Sequence, residues 1–284
     1  MLNADRYFYI GKTHDVCEDF AVAGSIAYAD PINYVYAILC DGCSSSKDTD
    51  IGARLLAKVA ERLLLPYSSL TNEIDSAAKV CFDLNLNSSC LDATLLKVTA
   101  FDTGKHCKWY ASCIGDGTII KIRNDNKIEI TDIEYKSGAP YYLSYKLDRE
   151  REKGYIKTYG LERTITKYIF NQSLTWESVS NPVIDTKGIP YIEDGYFDDS
   201  EEGYHTILTT SDGIHSFQEK IITDTSVVNH QMGIERILPE LLDFKGYNGQ
   251  FIARRMKRFM KDSAKWNWSN LDDLSMAGVH YEKD

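Results

Sequence analysis

Acidic residues in this sequence recur where apolar segments begin or end. Glu18 and Asp19 stand directly before the run FAVAG, and Asp41 follows AILC and precedes a glycine. Asp212 follows TILTTS, and Asp272 lies just before LSMAGV. Charged groups at such positions are costly to desolvate unless they are paired or bind a cation. The placement therefore favours carboxylates that gather around hard divalent ions such as Mg²⁺ or Mn²⁺, which take oxygen ligands.

Such a cluster would suit phosphoryl chemistry. Two ions roughly 3.5–4 Å apart can hold a phosphoryl group and lower the pKa of a bridging water. A single Asp-Gly after a strand is most often a turn, so Asp41 alone predicts no metal site. The two interpretations are compatible, because a tight Asp-Gly bend lets a side chain and a carbonyl face the same ions.

The elements that must position these acids follow from hydrophobic periodicity and turn residues. Apolar residues at helical spacing favour amphipathic helices, and an antiparallel meander is predicted around the turns DTGK, GDG and NDN. We predict strands at 20–29, 33–40, 93–102, 107–114, 118–123, 127–131, 205–213 and 272–281, and helices at 51–65, 69–85, 234–243 and 248–262.

One stretch, 132–200, is less regular, charged and rich in tyrosine. We predict a single domain over 1–284 with an insertion or flap at about 132–200. Its tyrosines have two interpretations, a substrate flap or the ordinary packing of a β-rich protein. Antiparallel strands with paired helices favour two sheets packed face to face with helices outside.

Composition excludes several classes of partner. The net charge of -10 argues against nucleic acid and against an anionic membrane surface, because both would repel the protein. The seven cysteines are an odd number without the paired spacing of a zinc site, which favours free thiols in a reducing compartment. With no apolar leader segment or transmembrane stretch in the sequence, we expect a cytoplasmic protein.

Five motifs in order resemble those of a known family, the metal-dependent protein serine/threonine phosphatases of the protein phosphatase 2C (PPM) type, particularly the compact bacterial members. The resemblance covers about 10–281 and is weakest over 132–200. Each motif is weak alone, and the order makes them strong together. The motifs are CEDFAVAG, AILCDG, ASCIGDG, TTSDGI and NLDDLSM.

The resemblance implies an α/β (α+β) fold, a four-layer αββα sandwich of two antiparallel sheets flanked by helix pairs. It also implies hydrolysis of phosphoserine and phosphothreonine on a phosphorylated protein substrate, with two Mn²⁺ or Mg²⁺ ions as cofactors. A metal-bridging hydroxide would attack phosphorus in line, without a covalent enzyme intermediate.

The family pattern assigns roles to the acidic motifs. Asp41 would bridge two metals, Asp212 and Asp272 would complete one of them, and Glu18 with the Gly42 carbonyl would help hold the other.

Two further acids have supporting roles in that pattern. Asp19 would orient metal-bound water, and Asp116, in a Gly-Asp-Gly turn, corresponds to a residue that helps bind a third ion in some members. Asp273 replaces a commoner asparagine, and we expect a structural role for it.

Departures from the family concern phosphate binding and the proton donor. Many members carry a phosphate-binding arginine four residues before the acidic pair, and this chain has His14 there. His14 is either a substitute phosphate ligand or a surface histidine, and Lys12 is the nearest other cation. Many members have a histidine after Asp-Gly where this chain has Cys43, but a cysteine mechanism is rejected because no Cys-x5-Arg cradle is present. Ser44 begins a loop that could touch substrate or simply connect to a helix.

Two alternative functions stay open. The chain could be a catalytically silent phosphatase-like module that binds phosphoproteins, although retention of Asp41, Asp212 and Asp272 argues against it. It could also be a metal-dependent hydrolase of small phosphate esters, an alternative favoured if the missing arginine reflects a different substrate.

Overall fold

The computed structural model describes residues 1–27, 33–64, 70–171, 175–186, 190–222 and 226–282. The helices are α1 (Thr49–Arg62), α2 (Leu70–Asp83), α3 (Arg149–Tyr159), α4 (Ile234–Leu241) and α5 (Phe251–Lys265). The strands are β1 (Leu2–Tyr9), β2 (Phe20–Ala27), β3 (Asn33–Cys40), β4 (Leu95–Asp102), β5 (Cys107–Ile114), β6 (Gly117–Arg123), β7 (Ile128–Tyr135), β8 (Arg163–Phe170), β9 (Trp176–Val179), β10 (Val183–Asp185), β11 (Tyr191–Phe197), β12 (Tyr204–Thr210), β13 (Phe217–Ile222), β14 (Val227–Gln231), β15 (Trp268–Asn270) and β16 (Leu274–Tyr281).

Two antiparallel layers of strands form the centre of the molecule. One layer runs in the order β2, β3, β4, β5, β11, and the other runs β1, β16, β12, β6, β7, β8. A single parallel pair, Phe197 with Tyr204, joins them at one margin. The interior between the layers is filled from both sides by side chains such as Val98, Ile119 and Val279.

Helices cover the outer faces of both layers. Leu56 of α1 and Ile74 of α2 pack with Ile38 of β3, and Ile237 of α4 and Phe259 of α5 pack in a second core with strands of the other layer. The predicted four-layer αββα sandwich is therefore confirmed.

The composition of β3 follows from burial on both faces. Val35, Ala37 and Leu39 point into the interior between the layers, whereas Ile38 and Cys40 point toward α1 and α2. A strand buried on both sides reads as a continuous apolar run rather than an alternating one. Its end at Cys40 brings the next residue out to the margin of the sandwich.

Some elements differ from the sequence prediction. The polar-looking start of the chain forms β1, which pairs with β16 from Leu2–Tyr281 to Tyr9–Leu274. A small separate sheet, β14-β13-β15, follows the Asp212 turn. The predicted strand end at 28–29 and the helix positions 65 and 69 lie outside the described residues.

The segment 132–200 contributes to the sandwich as well as to its margin. It supplies β8 and β11 to the two layers and carries α3 between β7 and β8. Parts of it, 172–174 and 187–189, lie outside the described residues. A flap function for this segment stays a prediction. Within the described chain, no helix combines the length and apolar character needed to cross a lipid bilayer.

Candidate active site

The turn after β3 is fixed by three hydrogen bonds. The Asp41 N–H donates to Thr94 Oγ1 over 3.0 Å, and the Thr94 N–H donates to the Asp41 carbonyl over 2.8 Å. The Gly42 N–H donates to the Glu18 carbonyl over 3.2 Å. A Cβ at Gly42 would lie only 3.0 Å from that carbonyl and from Thr49, so this close approach favours glycine.

Carboxylates from distant parts of the sequence meet around Asp41. Burial raises the pKa of Asp41 well above its usual range, and repulsion from Asp19, Asp212, Asp116 and Asp272 raises it further. Asp41 is within hydrogen-bonding reach of both Asp19 and Asp212. The structure thus brings together five of the predicted site acids.

Asp19 lies deepest in this group. Its side chain is fully buried, and Ser211 Oγ donates a hydrogen bond to its Oδ2 over 2.8 Å. Burial raises the pKa of Asp19 to about 7. Its Oδ1 is buried without a hydrogen-bond partner among the described residues, which is unusual for a buried oxygen and fits a ligand-facing atom.

Asp116 and Asp212 form one side of the group. Burial, followed by repulsion from Asp212, raises the pKa of Asp116 to about 7. Asp212 keeps contact with solvent, yet the surrounding protein removes enough hydration to raise its pKa, and Asp272 adds repulsion. A Cβ on Gly213 would overlap the carbonyl of Asp273 at 1.7 Å, so glycine allows the two loops to meet.

Glu18 joins this group mainly through its backbone. Its carboxylate accepts a hydrogen bond from Thr49 Oγ1 at the start of α1 over 2.6 Å. Asp273 is buried and accepts hydrogen bonds from the N–H groups of Gly11 and Glu18, each at 2.6 Å. These contacts fix the N-terminal loop against the start of β16, the structural role expected for Asp273.

The predicted substrate-binding residues separate into two sets. His14 contacts Asp272 at 3.3 Å and Asp273 at 3.2 Å. Burial lowers the pKa of His14, but Asp273 and Asp272 outweigh it and raise the pKa overall. Lys12 and Ser44 are exposed, and among the described residues their side chains make no hydrogen bond. The structure therefore brings His14 to the carboxylates and leaves Lys12 and Ser44 facing solvent.

The sandwich matches solved structures of bacterial phosphatases along nearly its whole length. Stp1, a serine/threonine phosphatase from Staphylococcus aureus, has a TM-score of 0.52 at 14% identity, covering 100% of this chain and 96% of that one. A bacterial serine phosphatase has a TM-score of 0.52 at 14% identity, covering 100% and 99%. The S. agalactiae serine/threonine phosphatase has 0.51 at 10% identity, covering 99% and 100%. The chain has the fold of bacterial serine/threonine phosphatases.

The predicted resemblance is confirmed at the level of this phosphatase fold. No protein-family model and no curated protein matches the sequence. At such low identity, any statement about activity must come from the site residues themselves.

The donor atoms of the site are of the type that a hard cation binds. Their donors are carboxylate oxygens, which Mg²⁺ and Mn²⁺ prefer, and Asp19 supplies a buried oxygen without a partner. Among the described residues, no three His, Cys, Asp or Glu side chains are spaced so that they already form a metal site. The mutual repulsion around Asp41 is consistent with both facts, because a cation would be needed to draw the acids together.

Sequence reasoning missed a second network on the far side of the Asp41 turn. Asp92 is buried and accepts hydrogen bonds from Ser46 at 2.7 Å and Ser144 at 2.5 Å. Arg151 of α3 forms an ion pair with the same carboxylate. Asp92 therefore links the loop after Asp41 to α3, and its isolated position in LDAT gave no pattern that would reveal this.

Sequence reasoning also missed three residues of the open cleft beside the carboxylates, Asp132, Glu134 and His215. The cleft has a volume of about 390 Å³. Its charged and titratable lining includes Asp116, Asp132, Glu134, Asp212, His215 and Asp272. The available signals were the acids Asp132 and Glu134 inside the apolar strand IEITDIEY and a histidine three residues after Asp212.

Proposed function

We propose that this protein is a metal-dependent protein phosphatase that hydrolyses phosphoserine and phosphothreonine. The observation that supports it is the convergence of Asp19, Asp116, Asp212 and Asp272 on Asp41. Among the described residues, no lysine or arginine forms an ion pair with any of these five acids. Carboxylates that gather without a lysine or arginine beside them are costly to maintain unless they serve a ligand.

The chain offers ligands for two ions. Asp41, Asp212 and Asp272 would hold one ion, and Asp41, Glu18 and the Gly42 carbonyl would hold the other. When bound, Mn²⁺ or Mg²⁺ would supply Lewis-acid activation of water and of the phosphoryl oxygens. Asp116 is placed beside Asp212 and would contribute to a third site.

The remaining residues would orient the attacking water and bind the phosphate. Asp19, held by Ser211, presents its free Oδ1 as an acceptor for a proton of the attacking water. His14, whose pKa is raised by Asp273 and Asp272, can carry a positive charge. Both of its ring nitrogens face carboxylates, so donation to a phosphate oxygen would use Nε2 in place of its contact with Asp272. His14 lacks the two-pronged geometry of arginine, so we expect weaker phosphate binding than an arginine would give.

The experiment is turnover by the purified protein with Mn²⁺. Phosphate release is measured from a phosphothreonine peptide and from p-nitrophenyl phosphate, with EDTA-treated protein as the control. We expect metal-dependent turnover of both substrates. Turnover of the small ester alone would support a small-ester hydrolase, and binding of the phosphopeptide without turnover would support a silent phosphoprotein-binding module.

A further inference from the structure

A histidine and a buried aspartate face each other on the wall of the cleft. His215 ends the 3-10 helix Asp212–His215, and Asp132 lies within β7. Nε2 of His215 is 3.3 Å from Asp132 Oδ1. Thr118 Oγ1 donates to the same Asp132 oxygen over 2.8 Å. The imidazole is thus oriented by a carboxylate that is itself held in place.

The exposure of the two side chains differs in a way that fits a proton donor. Asp132 is 7% exposed, whereas His215 is 37% exposed. A buried acid supports a ring that can reach solvent and ligand. With Nε2 facing Asp132, Nδ1 is the nitrogen available to a molecule in the cleft, and among the described residues it makes no hydrogen bond.

The charge around His215 favours its protonated form. Burial lowers the pKa of His215, but Asp132, Glu134 and Asp212 outweigh burial and raise it. Asp116 and Asp272 line the same cleft and add negative charge.

We propose that His215 donates the proton to the leaving alcohol and that Asp132 positions it for this step. The inference rests on the proposed phosphatase function and deepens it. It assigns a catalytic role to His215, a residue that the phosphatase 2C motifs leave without one.

The proposed step is the hydrolysis of a phosphate monoester. Water adds to phosphorus and loses one proton, and the bond from phosphorus to the serine or threonine oxygen breaks. The electron pair of that bond stays on the alcohol oxygen, which takes a proton from the His215 imidazolium. The proton lost by the water restores the imidazolium through solvent, so the reaction consumes one water and releases an alcohol and phosphate.

Leaving-group basicity separates this role from a structural one. An aliphatic alkoxide is a strong base and needs a proton as it leaves, whereas p-nitrophenolate is a weak base and leaves without one. A general acid contributes about 10²–10⁴-fold to such a step. In the Mn²⁺-loaded protein, we expect His215→Gln to lower kcat on a phosphothreonine peptide by at least about 100-fold and on p-nitrophenyl phosphate by less than about 5-fold.

A matched control and a second variant complete the test. His106→Gln changes an exposed histidine in the β4–β5 turn, which lies beside the Asn33 end of β3 and so opposite to Asp41. It should leave both activities unchanged. In the wild type, kcat on the peptide should fall at high pH as His215 loses its proton, and Asp132→Asn should move that fall to lower pH.

The outcomes are distinguishable. An equal loss on both substrates, no loss on the peptide, or an unmoved pH profile in Asp132→Asn would overturn the role of His215 while leaving the phosphatase function intact. Absence of metal-dependent turnover in the wild type would overturn the proposed function and the inference with it. Thermal unfolding of each variant shows whether it is folded. If His215→Gln does not fold, the pH profile of Asp132→Asn still tests the proposal.

Discussion

Two groups of carboxylates in this protein have opposite electrostatic surroundings. Glu193 on β11 lies 3.0 Å from Lys121 and 3.4 Å from Lys167, and it accepts a hydrogen bond from Thr131 over 2.8 Å. Burial raises the pKa of Glu193, but Lys121, Thr131 and Lys167 outweigh it and lower the pKa to about 2. Asp41 shows the reverse, because burial and neighbouring acids both raise its pKa.

The difference shows that the fold can supply lysines to a buried acid where only stability is at stake. Around Asp41 it supplies more acids instead. Sites that keep unfavourable electrostatics are expected where function requires them, because stability alone would select against them. Glu193 is therefore an acid that the structure pairs with cations, whereas the acids around Asp41 are those that we propose bind a metal ion.

Asp41→Asn tests the role of the acids around Asp41 most directly. The substitution keeps the shape of the side chain and removes the central charge. Because a bound cation contributes several kcal/mol to transition-state stabilisation, we expect Mn²⁺-dependent turnover of a phosphothreonine peptide to fall by about 10³-fold or more. The metal-free variant should unfold at a higher temperature than the metal-free wild type, since repulsion is relieved.

The loss of turnover and the higher unfolding temperature together would show that Asp41 is both functional and destabilising. The control is Glu193→Gln, which removes one charge from the paired group and should leave kcat within about 2-fold of wild type. A metal-free Asp41→Asn protein that is less stable than wild type would contradict the view that these acids repel one another.

The matching change in the paired group is Lys121→Met. Lys121 lies 3.0 Å from Glu193 and 3.3 Å from Glu129, and its side chain is only 10% exposed. Breaking a buried pair leaves an uncompensated charge, so we expect a loss of about 3 kcal/mol in the free energy of unfolding. Urea unfolding monitored by circular dichroism measures this loss.

The control for Lys121→Met is Lys136→Met. Lys136 pairs with Glu162 at 2.9 Å, but the two side chains are 65% and 48% exposed, so its loss should cost less than about 1 kcal/mol. Equal effects of the two substitutions would mean that the Glu193 group does not depend on buried pairing.

The sequence predicted the acids of this site because five short motifs, each weak alone, occur in the order of the phosphatase 2C family. Asp41 and Asp212 each follow an apolar run and precede a glycine, and close approach of other backbone explains both glycines, Gly42 and Gly213. The same apolar runs predicted the sandwich. Hydrophobic periodicity therefore predicted the strands and helices of the layers. The order of the motifs predicted which strand ends lie together.

What the sequence did not predict depends on contacts across the chain. β1 was missed because Asn3, Asp5 and Arg6 interrupt its apolar residues, and because its partner β16 lies at the other end of the chain. The pairing of His215 with Asp132 joins two elements 83 positions apart. Nothing in either local segment specifies the other, so such a contact emerges only from the fold.

The smallest expected effect is a pH dependence that changes sign with metal. Burial raises the pKa of Asp19 and that of Asp116 from 3.8, the value of an ordinary aspartate, to about 7. Between pH 8 and pH 6.5 the folded protein therefore takes up protons that the unfolded chain does not, and stability rises as pH falls. Below about pH 6.5 His280 opposes this rise in stability. Burial lowers the pKa of His280 to about 3, so the unfolded chain takes up a proton there that the folded protein does not.

With Mn²⁺ bound, the same window should show the opposite slope. Cations need deprotonated carboxylates, so protons compete with the metal and stability falls as pH falls. For the metal-free protein we expect a gain of roughly 1 kcal/mol from pH 8 to pH 6.5, which raises the Tm by about 2–4 °C. Thermal unfolding in EDTA and in saturating Mn²⁺ measures both slopes, with metal-free Asp116→Asn as the control whose slope should be shallower. Parallel slopes with and without Mn²⁺ would show that the acids around Asp41 do not bind the cation, and the contrast with Glu193 would then have another origin.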